Sequence, residues 1–208
     1  MKALQRIPEM QQNAPYVLIL YYSRQGSTQA LARQIALGVS QSGMEVRLRS
    51  IPSLTSDSSP AASSRDLSCT LEDVEQCQGL ALGSPTRFGH MAAPVQHFLE
   101  QWSGLWQRGA LIDKPAAVFT SSQSAHGGQE ATLLGMMLPL LHQGMVILGI
   151  PYDQPALSNT LEGGGPYGAG HIARQQKSLC PSERQLAQHL GLRLGQWAQR
   201  SGTSREPA

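Results

Sequence analysis

Tyr16-Val17-Leu18-Ile19-Leu20-Tyr21-Tyr22-Ser23-Arg24-Gln25-Gly26-Ser27-Thr28 is the stretch that decides the fold. Its first seven residues form an unbroken apolar and aromatic run rich in β-formers. A run that short, without alternation, suits a strand buried on both faces, as in the centre of a parallel sheet. It stops at Ser23, and Gly26-Ser27-Thr28 leads into a helical pattern that begins near Ala30. Two readings fit this turn. It is a phosphate cradle of helix N-terminal N–H groups and hydroxyls, or Ser27 or Thr28 caps a helix.

Working outward, Ala30 to Ser40 reads as a helix with Leu31, Ile35 and Val39 on one face, ended by Gly43. Met44 to Arg49 alternates, as a half-exposed strand near a sheet edge does. Pro52 to Ser68 is Ser-rich and reads as loop. Leu71 to Gln78 holds a helical turn, and Gly79 to Gly83 is a third strand. A helix follows with Pro94 in its first turn and Val95, Phe98, Leu99 and Trp102 on one side. Gly104-Leu105-Trp106 and Gly109 break that pattern. Pro115 to Thr120 is strand four. Gln129 to Gln143 is helical with Leu133, Met136 or Met137, and Leu140 or Leu141 inward, and Pro139 predicts a kink or an early break. Met145 to Ile150 is strand five, and Pro151 to Ala169 a long Gly/Pro loop. Ser182-Glu183-Arg184-Gln185 has the capping-box pattern, opening a last helix with Leu186, Leu190, Leu194 and Trp197 on one side. Residues 1–14 and 201–208 read as disordered ends of one domain spanning 15–200.

Strands alternating with helices imply βαβ units and a parallel sheet. The expected fold is α/β, a doubly wound five-stranded sheet in the flavodoxin-like order 2-1-3-4-5 with helices on both faces. In that order the loops after strands one, three and four meet in one crevice. Those loops hold Ser23 to Thr28, then Pro85, Thr86, Arg87, Phe88 and Gly89, and finally Ser121, Ser122, Gln123, Ser124, His126, Gly127 and Gly128.

Composition narrows the function classes. The chain has 208 residues and a formal net charge of +2, too small to argue for nucleic acid. No segment approaches the roughly 18 apolar residues of a membrane span. The polar N-terminus lacks the apolar core of a signal peptide, so a cytoplasmic protein is expected. Three cysteines without a C-x-x-C pair support neither a disulfide framework nor a zinc site.

Several elements together resemble the WrbA-type NAD(P)H:quinone oxidoreductases of the flavodoxin-like superfamily. They are Y-Y-S-x-x-G at 21–26, G-S-P-T-R-F-G-H-M at 83–91, G-L-W at 104–106, S-S-x-S-x-H-G-G-Q-E at 121–130, H-Q-G-M-V-I at 142–147 and G-G-P-Y-G-A at 164–169. The resemblance implies FMN, NADH or NADPH as reductant, a quinone substrate and a homotetramer whose sites draw on neighbouring subunits. It implies that Ser23, Arg24, Gln25, Gly26, Ser27 and Thr28 hold the FMN phosphate. Thr86, Arg87 and Phe88, with Ser121 to Gly128, would line the ring system. His142 matches a family histidine near the flavin and is the catalytic candidate. Trp106, with Gln25 and Phe88, would meet substrate, and the G-G-P-Y-G loop would help build a neighbouring site. Gln25 stands where the family carries an aromatic able to contact the nicotinamide nucleotide, and Arg24 where it often has an apolar residue.

Read as chemistry, Arg24 adds a charge-assisted bond to a phosphate or points to water. Gly127 and Gly128 let backbone approach a flavin, and their N–H groups can stabilise negative charge there. His126 and His142 can hydrogen-bond or deliver a proton near neutral pH. Electrons would pass from nucleotide to quinone by a ping-pong exchange through FMN. The rival classes are a one-electron carrier, typically acidic where this chain is not, and a regulatory flavodoxin-like binding module.

Overall fold

The computed structural model describes residues 14–54, 66–174 and 178–203. The Ser-rich segment lies mostly outside them. The first strand, β1 (Tyr16–Tyr21), is buried throughout, because both of its faces are covered. Val17, Ile19 and Tyr21 join one core cluster and Tyr16, Leu18 and Leu20 the other. That two-sided burial is why the run shows no alternation.

The chain then proceeds through α1 (Ser27–Gln41), β2 (Glu45–Ser50), α2 (Leu71–Gln76), β3 (Gly79–Pro85), α3 (Ala93–Glu100), α4 (Ser103–Gln107) and β4 (Pro115–Ser122). It ends with α5 (Gln129–His142), β5 (Val146–Ile147), α6 (Pro155–Asn159), β6 (Ala169–Ile172) and α7 (Pro181–Thr203). The sheet is parallel in the order β2-β1-β3-β4-β5, the flavodoxin-like order expected. On one face α1 and α7 supply Leu31, Ile35, Leu186, Leu190 and Leu194; on the other α3 and α5 supply Val95, Phe98, Leu133 and Met136.

Strand five departs from the expectation of one strand over Met145 to Ile150. The position beside β4 is filled twice: β5 pairs with Pro115 and Ala116, and β6 with Phe119 to Ser122. Between them the chain leaves the ladder and folds back flush. A Cβ on Gly149 would sit 2.2 Å from Pro166 O, and one on Gly168 2.1 Å from Val118 O. The glycines of this stretch thus let it lie against backbone, and it carries α6 and β6 rather than forming one long loop.

Other boundaries also shift. Gly104-Leu105-Trp106 lies inside the short helix α4. Pro139 does not stop α5, which runs on to His142. Trp197 is 39% exposed, and Ala198 faces the core in its place. α7 begins at Pro181, ahead of the expected cap at Ser182, and continues through Thr203. The residue before it, Cys180, donates its N–H to Glu183 Oε2 at 2.9 Å, so the reciprocal bond starts from a cysteine.

The pairing of α1 with α7 rests on glycine. A Cβ on Gly38 would lie 1.9 Å from Gln188 O, and one on Gly191 2.0 Å from Ile35 O. The obstacle is backbone, which cannot turn aside. Gly191→Ala gains about 1 kcal/mol of helix propensity but overpacks a backbone contact, typically at about 1–3 kcal/mol or more. We expect a net loss of about 2 kcal/mol, read by thermal denaturation as a fall in Tm of roughly 4–8 °C. An unchanged Tm would mean that the two helices can separate freely.

Candidate active site

The buried strands bring their ladders to an end at Tyr21, Pro85 and Ser122, all on one edge of the sheet. Three loops leave there, and they converge. One cavity is lined by Ser23, Arg24, Gln25, Ser27 and Thr28 from the first, Pro85, Thr86 and Arg87 from the second, and Ser121, Ser122 and Gln123 from the third. Ala173, which follows β6, closes it and was not a sequence candidate. Its volume is about 60 Å³, room for an anionic head group.

The helix that opens on this cavity is not capped by a hydroxyl. Gly26 takes the N-cap position at φ 94° and no side chain caps α1, so Ser27 and Thr28 fall inside the first turn. Ser23 Oγ instead accepts the Gly26 N–H at 3.1 Å, which folds the turn back under the helix. Thr28 is buried, and its hydroxyl bonds Ser121 Oγ at 2.9 Å, tying the first loop to the third. α5 begins in the same manner, with Gly128 at φ 86° and no side-chain cap. Two helices therefore present bare N-termini at one sheet edge, each with its positive dipole end outward.

The second and third loops are locked together by hydroxyls. Thr86 N–H donates to Ser121 O at 2.9 Å. Thr132 Oγ1 donates to Gly128 O at 2.9 Å and lies 2.6 Å from Thr86 Oγ1. Thr86 Oγ1 also lies 3.5 Å from Gly127 O, so the two hydroxyls form a chain across the loops. A Cβ on Gly128 would stand 3.0 Å from Gly89 Cα, so only glycine lets the loops touch.

Arg87 and His90 exchange backbone bonds at 2.8 and 3.0 Å around Phe88 and Gly89. Both central residues have positive φ, 52° and 79°, the type I′ geometry that favours Asn-Gly. Phe88 holds this disfavoured conformation with its ring fully exposed, and it does not line the cavity. The Arg87 guanidinium folds back onto Thr86 O at 2.9 Å.

Ser124 and His126 are exposed on the third loop, outside the cavity lining. His142 ends α5 just before β5, whose register pairs with Pro115 at the start of β4. From Pro115 to Ser121 is about 20 Å of strand, so one chain does not bring His142 to the cavity. Trp106, on α4, is exposed and also absent from the cavity lining. Sequence reading passed over Gln129. It is buried, and its amide donates to Ser122 Oγ at 2.7 Å and to His171 O at 3.1 Å.

Chemically this is an anion site. Six hydroxyls and two arginines line it, with no aspartate or glutamate. Among the described residues no group of three or more His, Cys, Asp or Glu is placed to hold a metal ion. No helix among them is long and apolar enough to cross a membrane.

A family model described as NADPH-dependent FMN reductase matches residues 15–152. A protein of Solidesulfovibrio magneticus named NAD(P)H dehydrogenase (quinone) is 40% identical over 182 residues, covering 82% of this chain and 90% of the relative. A protein of Rhodopseudomonas palustris with the same name is 41% identical over 179 residues, covering 82% and 89%. The crystal structure of the flavodoxin, WrbA-like protein from Agrobacterium tumefaciens matches with a TM-score of 0.64 at 19% identity, covering 90% of this chain and 99% of that one. That structural match bears on the fold. The family match over residues 15–152, joined by relatives at 40% identity or more, places this chain in the NADPH-dependent FMN reductase family.

Proposed function

We propose that the protein is an FMN-dependent NAD(P)H:quinone oxidoreductase. The carrying observation is the convergence of three loops on an anion-sized cavity that is free of carboxylates. The names of the relatives point to the same activity.

The residues present fit FMN. A phosphate bears about two negative charges, and Arg24 and Arg87 offer two positive ones beside hydroxyl donors and the bare end of α1. In this reading Ser23, Arg24, Gln25, Gly26, Ser27 and Thr28 hold the phosphate. Pro85, Thr86, Arg87, Phe88 and Gly89 flank one side of the ring, and Ser121, Ser122, Gln123, Ser124, His126, Gly127 and Gly128 the other. Bound FMN supplies a two-electron carrier between the nicotinamide nucleotide and the quinone. The Gly128 amide would stabilise negative charge at the ring edge, while the Gly127 N–H is held by Ser124 O at 3.1 Å. His126 is exposed beside the cleft and can exchange protons with solvent. Gln25 and Phe88 meet the substrates at the mouth. One shared pocket makes the exchange ping-pong.

The homotetramer belongs to this proposal. α5 exposes Leu134, Leu138 and Leu141, a stripe at i, i+4, i+7 that a lone helix would leave in water. Trp106 and Ile112 are exposed as well. Burying the stripe between subunits gives His142 and Trp106, out of reach within one chain, a route to a neighbour's site.

The test is spectroscopic. FMN added to apoprotein should bind, bleach under anaerobic NADH or NADPH, and recover with benzoquinone; absence of flavin binding overturns the proposal. Steady-state plots with both substrates should run parallel, and converging lines would reject the shared pocket. Thr28→Val, which breaks the tie to Ser121, should weaken FMN binding by about tenfold. Light scattering should report a tetramer for the wild type and smaller species for Leu138→Glu, and an unchanged assembly would clear α5 of that role. Phe88→Asn should raise stability by about 0.5–1 kcal/mol through relief of the turn while lowering kcat/KM for the quinone. Unchanged kcat/KM would remove Phe88 from the substrate site.

A further inference from the structure

We infer that Glu183 is the positioning residue of the cofactor cavity: its buried carboxylate fixes the β6 wall and the Gly163–Gly168 loop without touching any ligand. This builds on the proposed FMN site, since it concerns the wall of that same cavity.

Glu183 is 2% exposed. Its Oε1 accepts the N–H of Gly163 at 3.2 Å and that of Ile172 at 2.9 Å. Its Oε2 accepts the Cys180 N–H at 2.9 Å and lies 2.9 Å from His171 Nδ1. Burial by itself pushes the Glu183 pKa up. The bonds from His171, Cys180 and Ile172 outweigh it and hold the pKa below the ordinary glutamate value, so the group is ionised. A carboxylate only accepts, so Nδ1 of His171 carries the proton it shares. Four donors from the glycine loop, β6 and the start of α7 thus close on two oxygens.

The link to the cavity is short. Ala173, next after Ile172, donates its N–H to Ser122 O at 2.7 Å, and both residues line the cavity. Gln129 ties the same strand in from the other side, through His171 O and Ser122 Oγ. β6 is only four residues long and is an edge piece, with β4 as its partner. A strand so short has little ladder of its own, so its register at Ser122 depends on the carboxylate behind it. The glycine loop has the same need. A Cβ on Gly163 would stand 2.6 Å from Gly170 O, so the loop lies flat on β6 and moves with it.

Glu183→Gln puts an amide where both oxygens now accept, and its NH₂ must face an N–H donor. His171→Asn is the conservative control. Its amide can reproduce the Nδ1 donor, and it removes only Nε2, which has no hydrogen-bond partner in the structure. Amide hydrogen exchange on apoprotein and fluorescence titration with FMN read the result. In Glu183→Gln, exchange at Ile172, Ala173 and Cys180 should rise by about tenfold or more and FMN affinity should fall by about tenfold. His171→Asn should leave FMN affinity within about threefold of wild type, while His171→Ala should behave like Glu183→Gln. If Glu183→Gln does not fold, Glu183→Asp, which keeps the charge but retracts it, serves in its place. Unchanged exchange at Ala173 together with unchanged FMN affinity overturns the inference. Failure of the wild type to bind FMN overturns the proposed function alone, because the exchange measurements on apoprotein still decide the tether.

Discussion

Burial on both faces of β1, β3 and β4 is the constraint from which the rest follows. A central parallel strand covered on two sides has its backbone polar groups paired in the ladder and no place for an unpaired polar side chain. Polar chemistry is therefore pushed to where the ladders end. Thr120 and Ser84 are the first hydroxyls met along β4 and β3, and even these are spent locally, Thr120 on Ser84 O and Ser84 on Pro85 O and Ala92 N–H. One and two residues further along β4, Ser121 and Ser122 reach the cavity. The site lies at this edge because the sheet interior has no room for one.

The same constraint explains why glycine, not a hydroxyl, starts the two helices that open there. A Ser or Thr cap turns its oxygen onto the first-turn N–H groups and fills the place an anion would take. Gly26 and Gly128, both left-handed, end the preceding loops without doing so. Thr28, which the sequence offered as a cap, is used instead between loops, bonded to Ser121, and Thr86 meets Thr132 in the same way. A cap stabilises one helix by about 1 kcal/mol. A cross-loop bond of similar strength fixes the distance between two walls, which a binding site needs more.

How far this was legible in the sequence depended on whether a feature is local. The seven-residue run, the edge strand with its alternation and the helix faces of α1 and α3 follow from periodicity, whereas the strand order came from the likeness to the flavodoxin-like pattern. The three loops could be named because each directly follows a buried strand. What stayed hidden depends on contacts distant in sequence. Met145 to Ile150 has the composition of one strand, but Ile150 turns its N–H to Pro166 O, and only the fold-back shows that β6 takes half of the β4 edge. Ser182 to Gln185 fits the capping box. The group that matters in it, Glu183, reaches eleven to twenty residues back to Ile172, His171 and Gly163, which no local pattern encodes. His142 and Trp106 rested on resemblance alone, and no periodicity could say that each lies away from the cavity of its own chain.

The small size of the cavity sets the site's character. Its volume is about 60 Å³, and it is ringed by hydroxyls and arginines. Binding strength for a phosphate-bearing ligand is thus concentrated at its charged end, where charge-assisted bonds are strongest. In the proposed binding mode the ring end would lie beside Phe88, Gln123 and His126, all exposed. A planar group resting there is open on one side, as a pocket must be if two different partners are to approach it in turn. Phe88 shows the cost of that arrangement. A phenylalanine at φ 52° with its ring in water gains nothing for the folded chain itself. Such a conformation costs on the order of 1 kcal/mol, and an Asn at the same position would remove most of it. A ring or a second protein surface packed against the phenyl face would offset that strain.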